Sequence, residues 1–169
     1  IKKKLMTKAL EKINDKIFGL EFLMKNIDQW RNENKKIVFT NGCFDLIHLG
    51  HIELLARSSD LGDILIIGVN SDSSIRKLKG ENRPIIEEDS RVKQLAALEF
   101  VDAVVLFHED TPQKLIEKIK PDVITKGGDY KAENVVGNEV VTQKNGQVVI
   151  IPLTQGHSTT SILKKINDD

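Results

Sequence analysis

Apolar positions change their period near residue 35, and that change divides the chain. Before it, Ile13, Ile17, Leu20, Met24 and Ile27 recur every three or four residues among Lys, Glu, Asp and Asn, as in a helix that buries one stripe. Gly19 interrupts the stripe and predicts a break into two helices. Residues 1–34 thus read as an N-terminal helical extension packed on the rest, with Trp30 at the junction. A dimer contact is the alternative use of the same stripe. A membrane-surface helix fits less well, because the polar face mixes both charge signs.

Beyond residue 35, short continuous apolar runs alternate with helical patterns. Residues 37–40, 64–69, 103–106, 123–125 and 148–151 read as buried strands. Helices are predicted over 51–59 and 90–98, and again from Thr111-Pro112, with Thr as N-cap and Pro in the first turn. A last one runs through Ile166 from a cap at Ser158 or Thr159. Apolar strands alternating with amphipathic helices predict a parallel sheet covered on both faces. The expectation for 35–169 is therefore a single doubly wound (Rossmann-like) α/β domain whose ligands lie beyond the carboxyl ends of its strands. The least regular stretch, 77–88, reads as a loop over that edge.

Bulk properties narrow the picture. A chain of 169 residues suits one domain. Its 25 basic and 25 acidic residues cancel, so no basic field points to nucleic acid. One cysteine excludes an internal disulfide and is compatible with a reducing cytoplasm. No apolar run reaches the length of a membrane span, and the N-terminus does not read as a signal peptide. The chain opens on Ile1, and Met6 reads as a native start.

Candidate chemistry collects at the predicted sheet edge. His48 and His51 stand where the first core strand gives way to a helix, with Gly50 between them. Unpaired N–H groups and the positive end of a helix attract phosphate there. Zinc is the rival reading, with Cys43, Asp45, His48 and His51 as ligands, but no second pair follows at finger spacing. Far along the chain, Ser158, Thr159 and Thr160 form a second hydroxyl-rich helix start, both an N-cap and a phosphate cradle. The basic residues at 76–79 read equally as a solvated face or a triphosphate clamp. A plain turn explains Gly127 and Gly128 but not Lys126, Asp129 and Tyr130 around them.

Residues 42–51, ending His48-Leu49-Gly50-His51, resemble the HxGH motif of the nucleotidyltransferase superfamily in its cytidylyltransferase-like branch. Within it the chain is most similar, from about Lys36 to Ile166, to heptose 1-phosphate adenylyltransferases, the nucleotidyltransferase half of ADP-heptose synthase. Gly156-His157-Ser158-Thr159-Thr160 matches the superfamily's second phosphate element. Lys79-Gly80 with Arg83-Pro84, and the stretch from Lys126 to Tyr130, match the heptose enzymes. The resemblance implies direct displacement at an α-phosphorus, with His48, His51 and Lys79 catalytic and Lys77 as understudy. It implies nucleotide contacts at Thr40, Asn41, Gly42, Phe44, Asp45 and Gly50. Further contacts follow at Arg91, Gly128, Ser158, Thr159 and Thr160, although a salt bridge to Glu87, Glu88 or Asp89 is the alternative for Arg91. Lys126 and Asp129 would meet the acceptor.

The implied substrates are ATP and a sugar 1-phosphate, with Mg2+ arriving on the nucleotide and no metal ligand on the protein. A cytoplasmic homodimer without nucleic-acid or membrane partners completes the expectation. No kinase domain accompanies these residues, so a stand-alone transferase is expected. Glycerol-3-phosphate cytidylyltransferase is the nearest rival. Those enzymes carry an arginine shortly before the Ser-Thr-Thr, and residues 152–157 have none, which favours ATP. A non-catalytic nucleotide-binding module is the reading from another class. A class I aminoacyl-tRNA synthetase shares the histidine motif but needs a longer chain.

Overall fold

A computed structural model describes residues 7–153, 156–157 and 159–167. The chain begins with α1 (Lys8–Asn14), β1 (Ile17–Phe18), α2 (Leu20–Asn32), β2 (Ile37–Gly42), α3 (Leu49–Ser59) and β3 (Ile64–Asn70). Next come α4 (Asp72–Lys79), α5 (Glu88–Ala96), β4 (Ala103–Phe107), α6 (Gln113–Ile119) and β5 (Val123–Gly127). A 3-10 turn at Ala132–Asn134, α7 (Asn138–Thr142), β6 (Gln147–Ile151) and α8 (Thr159–Asn167) complete it.

The strands make one parallel sheet in the order β1-β4-β3-β2-β5-β6. From β2 to β4 the chain steps one way across the sheet, and β5 then lands on the other side of β2. Strand order reverses between β2 and β5, where the crevice of such a sheet opens.

Side chains alternate along each strand, so neighbouring residues feed two cores. Phe39, Ile66, Val105 and Ile124 pack with Leu23 and Ile27 of α2 and with Ile116 and Ile119 of α6. Val38, Leu65, Ile67 and Val104 face the other way, onto Leu55 of α3 and Val92 and Leu95 of α5. Burial on both faces is why these strands read as unbroken apolar runs rather than alternating ones. Each such side chain contributes about 1.5–3 kcal/mol by leaving water. The doubly wound sheet expected from the sequence is the fold observed.

Three local expectations need correction. Ile17 is not helical: with Phe18 it pairs in parallel with Val104 and Val105. The Val104 N–H also donates to the Lys16 carbonyl at 2.8 Å. A two-residue strand is too short to show its own period, so helical spacing on either side masked it. Gly19 does start a separate helix, standing at the N-cap of α2. Trp30 of that helix meets Phe18 edge-on, with ring centroids 6.3 Å apart.

Thr111 is not the cap of α6, which begins at Gln113 with Pro112 in the N-cap position. Proline has no N–H to be capped and itself fixes the turn. The stretch 77–88 is a loop only between α4 and α5, because Lys77 and Lys79 complete the first helix and Glu88 starts the second. Among the described residues no helix is long and apolar enough to cross a membrane.

Candidate active site

The link between β2 and α3 sets the geometry. Phe44 takes a positive φ of 46°, a conformation that side chains rarely adopt and that clusters at ligand sites. It is held there by burial, at 4% exposure. Its ring stands edge-on to His51, with centroids 5.2 Å apart. A Cβ on Gly42 would come within 3.1 Å of that ring, so glycine lets the strand end lie against it.

His48 is the N-cap residue of α3, and its carbonyl accepts the N–H groups of His51 at 2.9 Å and Ile52 at 3.2 Å. Both imidazoles therefore sit on the first turn and stack, with centroids 3.8 Å apart and planes 23° from parallel. Gly50 is needed beneath them. A Cβ there would lie 3.1 Å from the His48 ring and 3.2 Å from the His157 carbonyl. Its absence lets the segment entering α8 close against the start of α3.

An open cleft of about 390 Å³ lies over these strand ends. Asn41, Gly42, Phe44, Asp45 and His51 line it from the first half of the chain. Lys79 from α4, Lys126 from β5 and Thr159 from α8 reach it from elsewhere. Two elements about a hundred residues apart in sequence thus meet in one crevice, at the reversal of strand order.

The electrostatics suit an anion. His51 titrates far below its ordinary range, lowered to about 4 by burial first and then by the His48 charge, with Lys79 adding and the Leu46 backbone opposing. His48 is lowered as well, by burial and by His157. Among the described residues the Nδ1 atoms of both rings are buried without a hydrogen-bond partner. Two neutral imidazoles held among positive groups gain protons readily only when a negative ligand enters. Lys126 is lowered by burial, with Cys43 opposing. Its Nζ lies 6.0 Å from the Tyr130 ring centroid, and no carboxylate forms an ion pair with it among the described residues.

Several expected contacts sit elsewhere. Arg91 is fully buried. Its guanidinium donates to the carbonyls of Ile86, Cys43 and Asn70 at 2.6–2.9 Å and pairs with Asp72 at 2.7 Å. It is a strut behind the cleft, and its acidic partner is Asp72 rather than Glu87, Glu88 or Asp89. Thr40 is also fully buried, donating to the Thr125 carbonyl and so tying β2 to β5.

Asp45 borders the cleft, but Oδ1 accepts from the Ile85 and Ile86 N–H groups and Oδ2 pairs with Arg83 at 3.0 Å. That commitment also removes it from the zinc reading. Gly128, with φ +122, backs onto the Tyr130 ring rather than the cleft. Asp129 and Thr160 are exposed and border neither this cleft nor the chamber beside it. Lys77 turns away to Asp110 at 3.5 Å. Ser158 lies outside the described residues.

Cys43, Leu54, Gly127, Tyr130 and Leu153 line the cleft without having been assigned to it. Leu54 is one helical turn past His51, and Gly127 and Tyr130 flank the assigned Gly128 and Asp129. Those spacings were readable. Leu153, just past β6, gave no signal.

With this geometry in place, comparison with known proteins is informative. The Cytidylyltransferase-like family model matches residues 39–165. The chain belongs to the cytidylyltransferase-like family. It is 52% identical over 153 residues to the bifunctional protein HldE of Citrifermentans bemidjiense, covering 90% of this chain and 31% of that one. With the bifunctional protein HldE of Magnetococcus marinus it shares 45% over 163 residues, 96% of this chain and 34% of the relative. The cytidylyltransferase-like chain thus spans about a third of the length of these curated relatives. Among solved structures, the lipopolysaccharide core biosynthesis protein from Thermoplasma volcanium matches with a TM-score of 0.59 and 34% identity, over 73% of this chain and 99% of that one. The family makes this chain a nucleotidyltransferase.

Proposed function

We propose that this domain transfers AMP from ATP to D-glycero-D-manno-heptose 1-phosphate, giving ADP-heptose and pyrophosphate for lipopolysaccharide or surface-polysaccharide precursors. One observation carries the reading: His48 and His51 stack, each with an Nδ1 unpartnered among the described residues, and His51 lines a crevice with Lys79 and Thr159. Similarity to the HldE proteins and to a lipopolysaccharide core biosynthesis protein supports a sugar phosphate acceptor. The absence of arginine from residues 152–157 supports ATP over CTP.

In this mechanism an oxygen of the acceptor phosphate attacks the α-phosphorus, and the bond to the pyrophosphate oxygen breaks. Pyrophosphate leaves with that electron pair. No enzyme nucleophile is needed, because the acceptor phosphate is already ionised. The chain supplies position and charge. Resting neutral, each imidazole can donate one N–H at once and take up a proton as negative charge builds. Lys79 and the start of α8 hold the departing phosphates. A preorganised donor of this kind is worth about 10²–10³ in turnover.

Mg2+ would travel on the triphosphate. Among the described residues that line the cleft Asp45 is the carboxylate, with Oδ1 accepting two N–H groups and Oδ2 paired with Arg83. A cytoplasmic homodimer, taken from the family resemblance, belongs to the same reading. Pyrophosphate release should be measured with ATP, CTP and GTP against heptose 1-phosphate and glycerol 3-phosphate. The expected result is turnover with ATP and the heptose alone. Preference for CTP and glycerol 3-phosphate would replace this proposal with the cytidylyltransferase.

A further inference from the structure

A groove of about 440 Å³ opens where β1 stops short. That strand pairs with β4 only at Val104 and Val105. The chain then turns at Gly19 into α2, while β4 runs on to Phe107. Buried Phe107 and Leu115 line the groove from the core, and half-buried Phe18 and Leu20 line it from the start of α2. Phe18 is fixed in that wall by two other rings, Phe22 stacked at 6.0 Å and Trp30 edge-on at 6.3 Å. The groove shares no residue with the cleft that holds His51 and Lys79.

Its charge is one-sided. Lys114 and Lys118 border it from α6, one helical turn apart and so on one face. Neither forms an ion pair among the described residues. Glu109 is the acidic residue of the lining, and its Oε2 accepts the His108 N–H at 3.2 Å, which turns it back on the backbone. An apolar body against Phe18 and Leu115 therefore shares its space with two unpaired ammonium groups.

Size selects the occupant. The volume falls within the roughly 300–1,000 Å³ of small-molecule sites, which are mostly apolar with a few polar groups. Outside the groove the aromatic surface continues onto Phe22, 63% exposed. That is one ring, where a stable dimer buries about 800 Å² on each partner.

We infer that this groove binds a small amphipathic anion: a flat apolar ring system that packs against Phe18 and Leu115, with one carboxylate, sulfonate or phosphate on Lys114 and Lys118. An aromatic wall favours a ring offset against it, and the anionic group replaces the partner both lysines lack. The site lies outside the transfer reaction and does not depend on the reading above.

The test is fluorescence titration with 8-anilinonaphthalene-1-sulfonate and with its uncharged counterpart, N-phenyl-1-naphthylamine. The proteins are the wild type, the double variant Lys114→Glu/Lys118→Glu, and Leu20→Trp, whose larger ring occupies the groove. The wild type should bind the sulfonate saturably, and α,β-methylene-ATP should not displace it. Charge reversal should weaken the sulfonate at least about tenfold and hold the uncharged probe within about twofold. Leu20→Trp should weaken both at least about tenfold. Sulfonate binding that survives charge reversal overturns the inference, as does an equal loss of both probes in that variant. Displacement by the nucleotide analogue, or undiminished binding in Leu20→Trp, does so too. A wild type that sediments as a dimer while Leu20→Trp is a monomer would give the groove to a second copy and overturn it as well. Should Leu20→Trp lose its cooperative thermal unfolding, the charge reversal decides alone, because both lysines are exposed.

Discussion

Two halves of the strand-to-helix junction, residues 43–51, obey opposite rules. In the first half the polar groups are tied to the scaffold: Asp45 Oδ1 accepts from the Ile85 and Ile86 N–H groups, its Oδ2 forms an ion pair with Arg83, and the Cys43 carbonyl accepts from Arg91. In the second half His48 and His51 keep buried Nδ1 atoms without a hydrogen-bond partner among the described residues. Buried polar groups are paired unless another role keeps them open. The contrast separates a half anchored by ion pair and backbone amides from a half whose buried ring nitrogens have neither a hydrogen bond nor an ion pair among the described residues. In the proposed reaction the anchored half fixes the place and the histidine half does the chemistry.

Arg91→Ala should give the largest effect, on stability. It strands three carbonyls and the Asp72 carboxylate, and losing one partner of a buried pair costs about 3–5 kcal/mol. Asp72 is 21% exposed, which places the loss at the lower end of that range. Chemical denaturation measures it. A variant that unfolds at the wild-type midpoint would erase the distinction between the two halves.

His51→Ala should do the reverse. Turnover is expected to fall about 10²–10³-fold, read by pyrophosphate release, while the unfolding midpoint stays near that of the wild type. If stability fell as far as in Arg91→Ala and turnover did not, His51 would belong to the scaffold.

The smallest effect is one of pH. His51 stays neutral in the folded protein down to about 4, against an ordinary value of 6.5. Between those values the unfolded chain binds more protons, so folded stability rises with pH across that window and is eroded on acidification. His51→Ala removes this proton uptake and should flatten the curve of stability against pH over the same range. Parallel curves for the two proteins would show that His51 titrates normally and is not held neutral.

Much of this was readable beforehand, and the exceptions share a cause. Continuous apolar runs gave the core strands because both faces of the sheet are covered. The histidine turn and Thr159 at the second helix start were legible as neighbours because both stand at helix starts along the same sheet edge. Arg91 and Thr40 were misplaced because a motif position says which residue is present and not which way it points. Both point inward. An arginine that grips carbonyls from behind and one that grips phosphate from the front occupy the same letter. Ile17 was misassigned because pairing partners eighty residues away, not local spacing, make it a strand.

Strand β1 has a practical meaning for anyone dissecting the molecule. Two residues close the free margin of β4, and Leu23 and Ile27 just behind them are wholly enclosed. What resembles a detachable arm is a keystone. Cut at residue 35, the remainder would be left with an unpaired margin beside a gap where a helix had been, a surface prone to stick to its own copies.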